Sequence, residues 1–156
     1  ILDLLVEKTL ELHAMGAEVE ILTTDNHADG VYLKNYIEKH YPQRAPEVLT
    51  LLDMHGGCSA GTKFANVDPR GNVHPCQFWQ DYNLGNVRET PFSQLWTGDD
   101  QLLVQLRNKR VHLKGKCGRC QHNSVCGGCR IRARAAHGDV WAEDPACYLE
   151  EDEING

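Results

Sequence analysis

Four cysteines fall within thirteen residues, Cys117-Gly-Arg-Cys120-Gln-His-Asn-Ser-Val-Cys126-Gly-Gly-Cys129, spaced two, five and two apart. Core packing does not call for sulfur at this density, whereas a shared inorganic ligand does. Thiolates select zinc, Cu(I) or iron-sulfur clusters, and spacing alone does not name the metal. Gly118, Gly127 and Gly128 let the backbone wrap closely, so that N–H groups can point at a sulfur-rich anion. Cys58, Cys76 and Cys147 bring the total to seven.

The surroundings of these cysteines narrow the chemistry. At 156 residues the chain is long enough for one domain that buries roughly two thirds of its unfolded surface without covalent staples. Seven is an odd number, there is no signal peptide, and the apolar runs are too short to cross a bilayer. The reading is a reducing, cytoplasmic setting with no membrane partner, where clustered cysteines bind metal rather than form disulfides. Net charge is -6, yet Gln101 to Gly138 contains no acidic residue and nine basic ones: Arg107, Lys109, Arg110, Lys114, Lys116, Arg119, Arg130, Arg132 and Arg134. Such a block is a solvated face, a nucleic-acid patch, or charge compensation for thiolate-rich clusters; its coincidence with the cysteines favours the third, with no nucleic-acid partner. The acidic run Glu150 to Glu153 reads as a solvated tail.

The elements that must position the cysteines are α+β in pattern. An amphipathic helix is expected over 1–15, with Leu2, Leu5, Val6, Thr9 and Leu12 as its apolar stripe and Gly16 as its end. Alternation predicts a strand over 17–24, followed by the polar loop Asp25-Asn-His-Ala-Asp-Gly30 and a helix over 31–40. Helix, strand, loop, helix is one repeat of an α/β layer or barrel, and a loop at the carboxyl end of such a strand faces the ligand. His27 is therefore a candidate substrate or metal contact. One incomplete repeat, opening on a residue other than methionine, reads as the C-terminal piece of a longer protein. Residues 41–46 form a linker, giving units 1–46 and 47–156.

After a short apolar run over 48–54, two strands around Asp68-Pro69-Arg70-Gly71 read as a hairpin that returns Cys76 toward Cys58. A short strand is expected over 83–87. A helix with Pro91 at its first position should place Phe92, Leu95 and Trp96 in the core. Further helices are expected over 99–109 and 129–137, the second ended by Gly138. Asp144-Pro145 makes the turn that delivers Cys147.

The full pattern, Cys58, twelve residues, Gly71, four residues, Cys76, then Cys117-x(2)-Cys120-x(5)-Cys126-x(2)-Cys129 and Cys147, resembles the SPASM domain. That domain is the C-terminal extension of radical S-adenosylmethionine enzymes. One departure is that Cys126 and Cys129 are two residues apart where the family commonly has three. The resemblance implies that Cys117, Cys120, Cys126 and Cys147 hold one [4Fe-4S] cluster. It implies further that Cys58, Cys76 and Cys129 hold a second. Seven thiols leave one position of eight to His55, His74, Asp68, a residue outside this chain, or an open iron. The segments Asp25 to Tyr32, Gly71 to Trp79, Leu84 to Glu89 and Cys126 to Ala133 are similar to the radical enzymes of modified-heme synthesis, the heme d1 biosynthesis proteins first and the heme-forming decarboxylases beside them. On that resemblance residues 1–46 are the last βα part of a radical SAM partial barrel.

The resemblance also implies a reaction. The whole enzyme would reduce S-adenosylmethionine at a further [4Fe-4S] cluster, form a 5'-deoxyadenosyl radical, and abstract hydrogen from a propionate of an iron tetrapyrrole, with ferredoxin or flavodoxin as electron donor. The Cys-x(3)-Cys-x(2)-Cys motif for that cluster is absent from these residues, so this chain alone is expected to be inactive and to serve electron transfer and substrate closure. Arg130 and Arg134, four apart, are candidate contacts for substrate carboxylates. A peptide-modifying SPASM enzyme is one alternative. A colourless zinc-binding interaction module is another, and it leaves the Gly71 hairpin unexplained. The apolar face of residues 1–24 predicts poor solubility or self-pairing of the isolated chain.

Overall fold

Helical periodicity at the amino end is realised as read. The computed structural model describes residues 1–20, 22–23 and 25–155. Helix α1 spans Leu2–Ala14, and Leu2, Leu5, Val6, Thr9 and Leu12 are its half-buried positions. None of its residues is fully buried. Between α1 and α2 (Ala28–His40) runs a groove of about 320 Å³ lined by Leu5, Val6, Leu33, Tyr36 and Ile37.

The strand expected over 17–24 is not formed at 17–20 or 22–23, and Ile21 and Thr24 lie outside the described residues. Alternating side chains do not make a strand unless a neighbour takes its N–H and C=O groups. Among the described residues the sheet has two strands, both in the hairpin and neither beside this segment. Helix α2 starts three residues earlier than its pattern suggests. Asn26 Oδ1 accepts the Ala28 N–H at 3.3 Å, and Asp29 sits in the first turn, where a carboxylate favours the helix dipole.

A 3-10 turn over Pro42–Arg44 leads into α3, Ala45–His55, where a linker and a short apolar run were expected. Pro46 lies in its first turn, a position whose N–H has no helical partner, so proline opens this helix instead of breaking it. Helix α3 packs on α2, and the expected boundary at residue 46 falls inside its first turn.

The hairpin forms where the turn chemistry places it. Strand β1, Asn66–Val67, pairs antiparallel with β2, Val73–His74, with Asn66 opposite His74 and Val67 opposite Val73. Gly71 takes φ +91°, and Asp68 accepts the N–H groups of Arg70 and Asn72 at 2.8 and 2.9 Å and the Asn72 amide at 2.9 Å. These donors, the Asn72 amide foremost, lower the Asp68 carboxyl to about 2. A depressed carboxyl stabilises the fold above its unfolded value and stops doing so as pH falls through its folded one. Asp68→Ala is therefore expected to lower Tm at neutral pH, with the gap to wild type closing between about pH 4 and pH 2. A gap that stays constant over that range contradicts this role.

Residues 83–87 run beside β2 through two backbone hydrogen bonds, Leu84 N–H to Val73 O and Val73 N–H to Gly85 O, without becoming a strand. Pro91 is the residue before helix α4, Phe92–Thr97, and not its first member. Phe92 is 41% exposed and stacks on Trp96, so this pair caps the surface instead of filling the core; Leu95 packs against the backbone of Gly85. Helix α5, Gln101–Arg107, begins at Asp100, whose carboxylate accepts the Leu103 N–H at 3.0 Å.

After a 3-10 stretch over Lys109–His112 come α6, Gly115–Arg119, and α7, Arg130–His137, which ends at Gly138 with φ +69°. The acidic residues Glu150 to Asp152 are exposed, as read, and Glu153 is half-buried, but the tail they belong to is ordered. It forms α8, Glu151–Asn155, and Ile154 is fully buried, with its carbonyl accepting the Gln121 N–H at 2.9 Å. Ala28, Val31, Cys120, Cys126, Leu149 and Ile154 form one core, so the tail and α2 close over the cysteine knot from two sides. The result is a helix-rich α+β chain with a small two-stranded sheet.

Candidate metal centre

Helix α6 and the turn after it carry the first cysteine group. Gly115, at φ +55°, opens α6, and Glu143 Oε2 takes the Lys116 N–H at 2.7 Å. This sets Cys117 facing inward. Cys117, Cys120, Cys126 and Cys147 line one cavity together with Gly127, Gly128 and Asp144. The first three are buried, and backbone N–H groups point at their sulfurs: Asp144 to Cys117 at 3.3 Å, His122 to Cys120 at 3.4 Å, and Gly128 to Cys126 at 3.4 Å. Burial pushes the Cys126 thiol up to about 12 and the Cys120 thiol upward too, while those N–H groups pull both the other way. Sulfurs removed from water yet supplied with donors suit a ligand that brings its own positive charge.

The second group gathers at the start of α7. Cys58 and Cys129 are coupled: their mutual interaction lowers the Cys58 thiol and raises that of Cys129. The N–H groups of Arg130 and Ala60 also reach Cys58, and Lys109 Nζ donates to its carbonyl. Cys76, delivered by the hairpin, lies within electrostatic reach of Cys129; burial raises its thiol against the N–H groups of Phe78 and Gln77. The imidazole of His27 is close enough to Cys129 to act on its thiol in the lowering direction, against the larger effects that raise it. The loop before α2 thus reaches this thiol group, and Arg132 ties the same loop down by donating to the Asp25 carbonyl.

The donor chemistry fits iron-sulfur clusters, with four thiols about one cavity and three about another point, each set supplied with N–H donors.

The candidate substrate arginines are placed differently. Arg130 is fully buried, with its guanidinium directed at the Val140 and Ala142 carbonyls, at 2.9 and 2.8 Å, and at Cys117 Sγ, at 3.6 Å. Its role as a contact for substrate carboxylates is withdrawn, because no donor of its fork faces outward. Arg134 is partly exposed and makes a two-pronged pair with Asp81 over the Trp79 ring. All nine cations of the basic block have acceptors within the chain, such as Asp53 for Arg110, Asp139 for Lys114 and Glu151 for Arg119. Two of them, Lys109 and Arg130, reach the cysteines directly, and burial lowers the Lys109 ammonium.

Among the suggested eighth ligands, His55 is exposed. His74 donates Nδ1–H to the Tyr82 carbonyl at 2.7 Å and turns Nε2 toward Asp68 at 3.5 Å. The residue the sequence did not reveal is Asp144. It is buried and accepts the Cys129 N–H at 2.6 Å, the Ala146 N–H at 3.1 Å and both prongs of Arg132 at 2.9 and 2.7 Å. Burial works to raise its carboxyl, and these donors hold it below the ordinary value all the same. Its position before Pro145 and Cys147 was the available signal.

Residues 58–121, which hold the Gly-x(4)-Cys hairpin and the first two cysteines of the knot, match the SPASM family, an iron-sulfur cluster-binding domain. The chain carries a SPASM region and is similar over nearly its whole length to enzymes of heme and porphyrin synthesis. It is 47% identical over 157 residues to the Fe-coproporphyrin III synthase of Methanosarcina barkeri, which covers 97% of this chain and 39% of that protein. It is also 47% identical over 153 residues to the pre-heme d1 synthase of Dinoroseobacter shibae, covering 95% of this chain and 37% of that protein. An AdoMet-dependent heme synthase of Nitratidesulfovibrio vulgaris is 42% identical over 102 residues, 65% of this chain and 27% of that one. The chain thus spans about two fifths of the length of the first two relatives. No solved structure matches it. Among the described residues no helix is long and apolar enough to cross a membrane.

Proposed function

We propose that this chain is the auxiliary-cluster part of a radical SAM enzyme that removes or alters propionate side chains of an iron tetrapyrrole. Residues 47–156 form its SPASM unit, and residues 1–46 continue a partial barrel. Cys117, Cys120, Cys126 and Cys147 hold one [4Fe-4S] cluster, and Cys58, Cys76 and Cys129 hold another. When bound, such clusters supply one-electron transfer, at potentials from about -700 to +450 mV set by charge and hydrogen bonds. The chain's own contribution is to bury the sulfurs, donate N–H groups to them, and close α2 and α8 over them. The observation that carries the reading is the pair of thiol groups, each supplied with N–H donors.

Relatives favour a tetrapyrrole over a peptide. The heme-related proteins align with nearly the whole chain, whereas the PqqA peptide cyclase of Xanthomonas axonopodis is 31% identical over 91 residues, 56% of this chain. The test is anaerobic turnover by an enzyme containing this chain, with S-adenosylmethionine, a low-potential donor such as ferredoxin or flavodoxin, and an iron tetrapyrrole bearing propionates. A product mass that records loss of side-chain carbon supports the reading. An untouched tetrapyrrole beside a modified peptide overturns it.

Three thiols leave one position unfilled, and we assign it to His27, whose imidazole acts on the Cys129 thiol. Assigned there, His27 joins the cluster and not the substrate. In the cluster-loaded chain, His27→Ala should keep the cluster iron but abolish a strong imidazole nitrogen coupling in pulsed EPR of the reduced protein. A coupling that survives the substitution removes His27 from the site.

A further inference from the structure

Arg130 is a buried cation without a carboxylate. Its side chain is wholly inaccessible, and none of the ion pairs among the described residues includes it. Neighbouring Arg132 and Arg134 each have an aspartate. Burying an ion without a counter-charge is strongly unfavourable, and carbonyl oxygens at 2.8 and 2.9 Å satisfy its donors without neutralising it. The ionisable group that its guanidinium touches is the Cys117 thiol, 3.6 Å from Nη2. Gly128 keeps that path open, since a Cβ there would lie 2.8 Å from Nη2 and 2.9 Å from the Cys117 sulfur.

We propose that Arg130 sets the reduction potential of the group bound by Cys117, Cys120, Cys126 and Cys147, its buried charge favouring the reduced, more negative state. It acts through the sulfur and touches no substrate.

This rests on the cluster reading above, and the experiment separates the two. Wild type, Arg130→Lys and Arg130→Met chains are loaded anaerobically with iron and sulfide, assayed for both, and titrated potentiometrically with EPR detection. A wild-type chain that takes up no iron and sulfide fails the cluster reading itself. With iron retained, Arg130→Met should reduce the reduced-to-oxidised ratio of one cluster about tenfold at the wild-type midpoint, a shift of about -59 mV for one electron. Arg130→Lys, which keeps the charge, should shift it less, and the other cluster should move little in both. Unchanged midpoints with full iron overturn the proposal, and a purely structural arginine would give that result. If both variants shed iron, wild type carrying guanidinium-15N arginine decides: a 15N coupling to the reduced cluster supports it, and none overturns it.

Discussion

Cys117→Ser is expected to halve the iron content of the loaded chain, from about eight to about four per chain, leaving the second cluster spectroscopically intact. Cys117 is held by a backbone and a side-chain donor. It accepts from the Asp144 N–H and from Arg130, it lies against Gly128, and it is buried at the inward face of α6. A serine hydroxyl stays protonated where a thiolate ligand is required, and it is too short to hold the same metal. Cys76→Ser should do the reverse, emptying the three-thiol site and sparing the other. Iron unchanged in both variants would contradict the ligand assignment, and loss of all iron from each would contradict two separable sites.

Gly128→Ala should be among the most damaging single-methyl changes in this chain. At φ +61° an L side chain is strained by about 1 kcal/mol. The new Cβ would also stand 2.6 Å from Asp144 Cβ, 2.8 Å from Arg130 Nη2 and 2.9 Å from Cys117 Sγ. Overpacking of that kind adds about 1–3 kcal/mol, so the sum is about 3 kcal/mol. Because the clash falls on the Cys117 sulfur and on the arginine beside it, iron at that site should be lost along with stability. Gly138→Ala is the control. Its φ is +69° and nothing lies within 4 Å, so only the backbone strain applies. Thermal denaturation of the two variants compares them directly, and equal Tm losses would mean that the Gly128 contacts relax without penalty.

Turn and periodicity signals carried much of the fold into the sequence. Asp68-Pro69-Arg70-Gly71 marks its hairpin because proline and glycine fix the turn dihedrals locally, and α7 ends at Gly138 for a similarly local reason. The alternation over 17–24 was misleading because pairing is not local: the same residues need a neighbouring strand that the described residues do not offer. Glu150 to Asp152 are exposed, as their charge suggested, while the helix they form was not legible, because it is set by Ile154 burying itself against the knot. Composition could not show which member of the basic block would be interior. Arg130 and Arg134 share a helix face in sequence, yet one points at Cys117 and the other at Asp81. The seven thiols were legible from spacing. Asp144 was not, since its role appears only once α7 and the turn before Cys147 meet.

The most direct test of the two-cluster account is metal analysis of the anaerobically purified chain, with iron, sulfide and zinc measured on one sample beside its visible spectrum. The account predicts about eight irons, as many sulfides, a brown protein and little zinc. Two zinc ions per chain and no colour would contradict it, leaving a zinc-binding module in place of an electron-transfer domain.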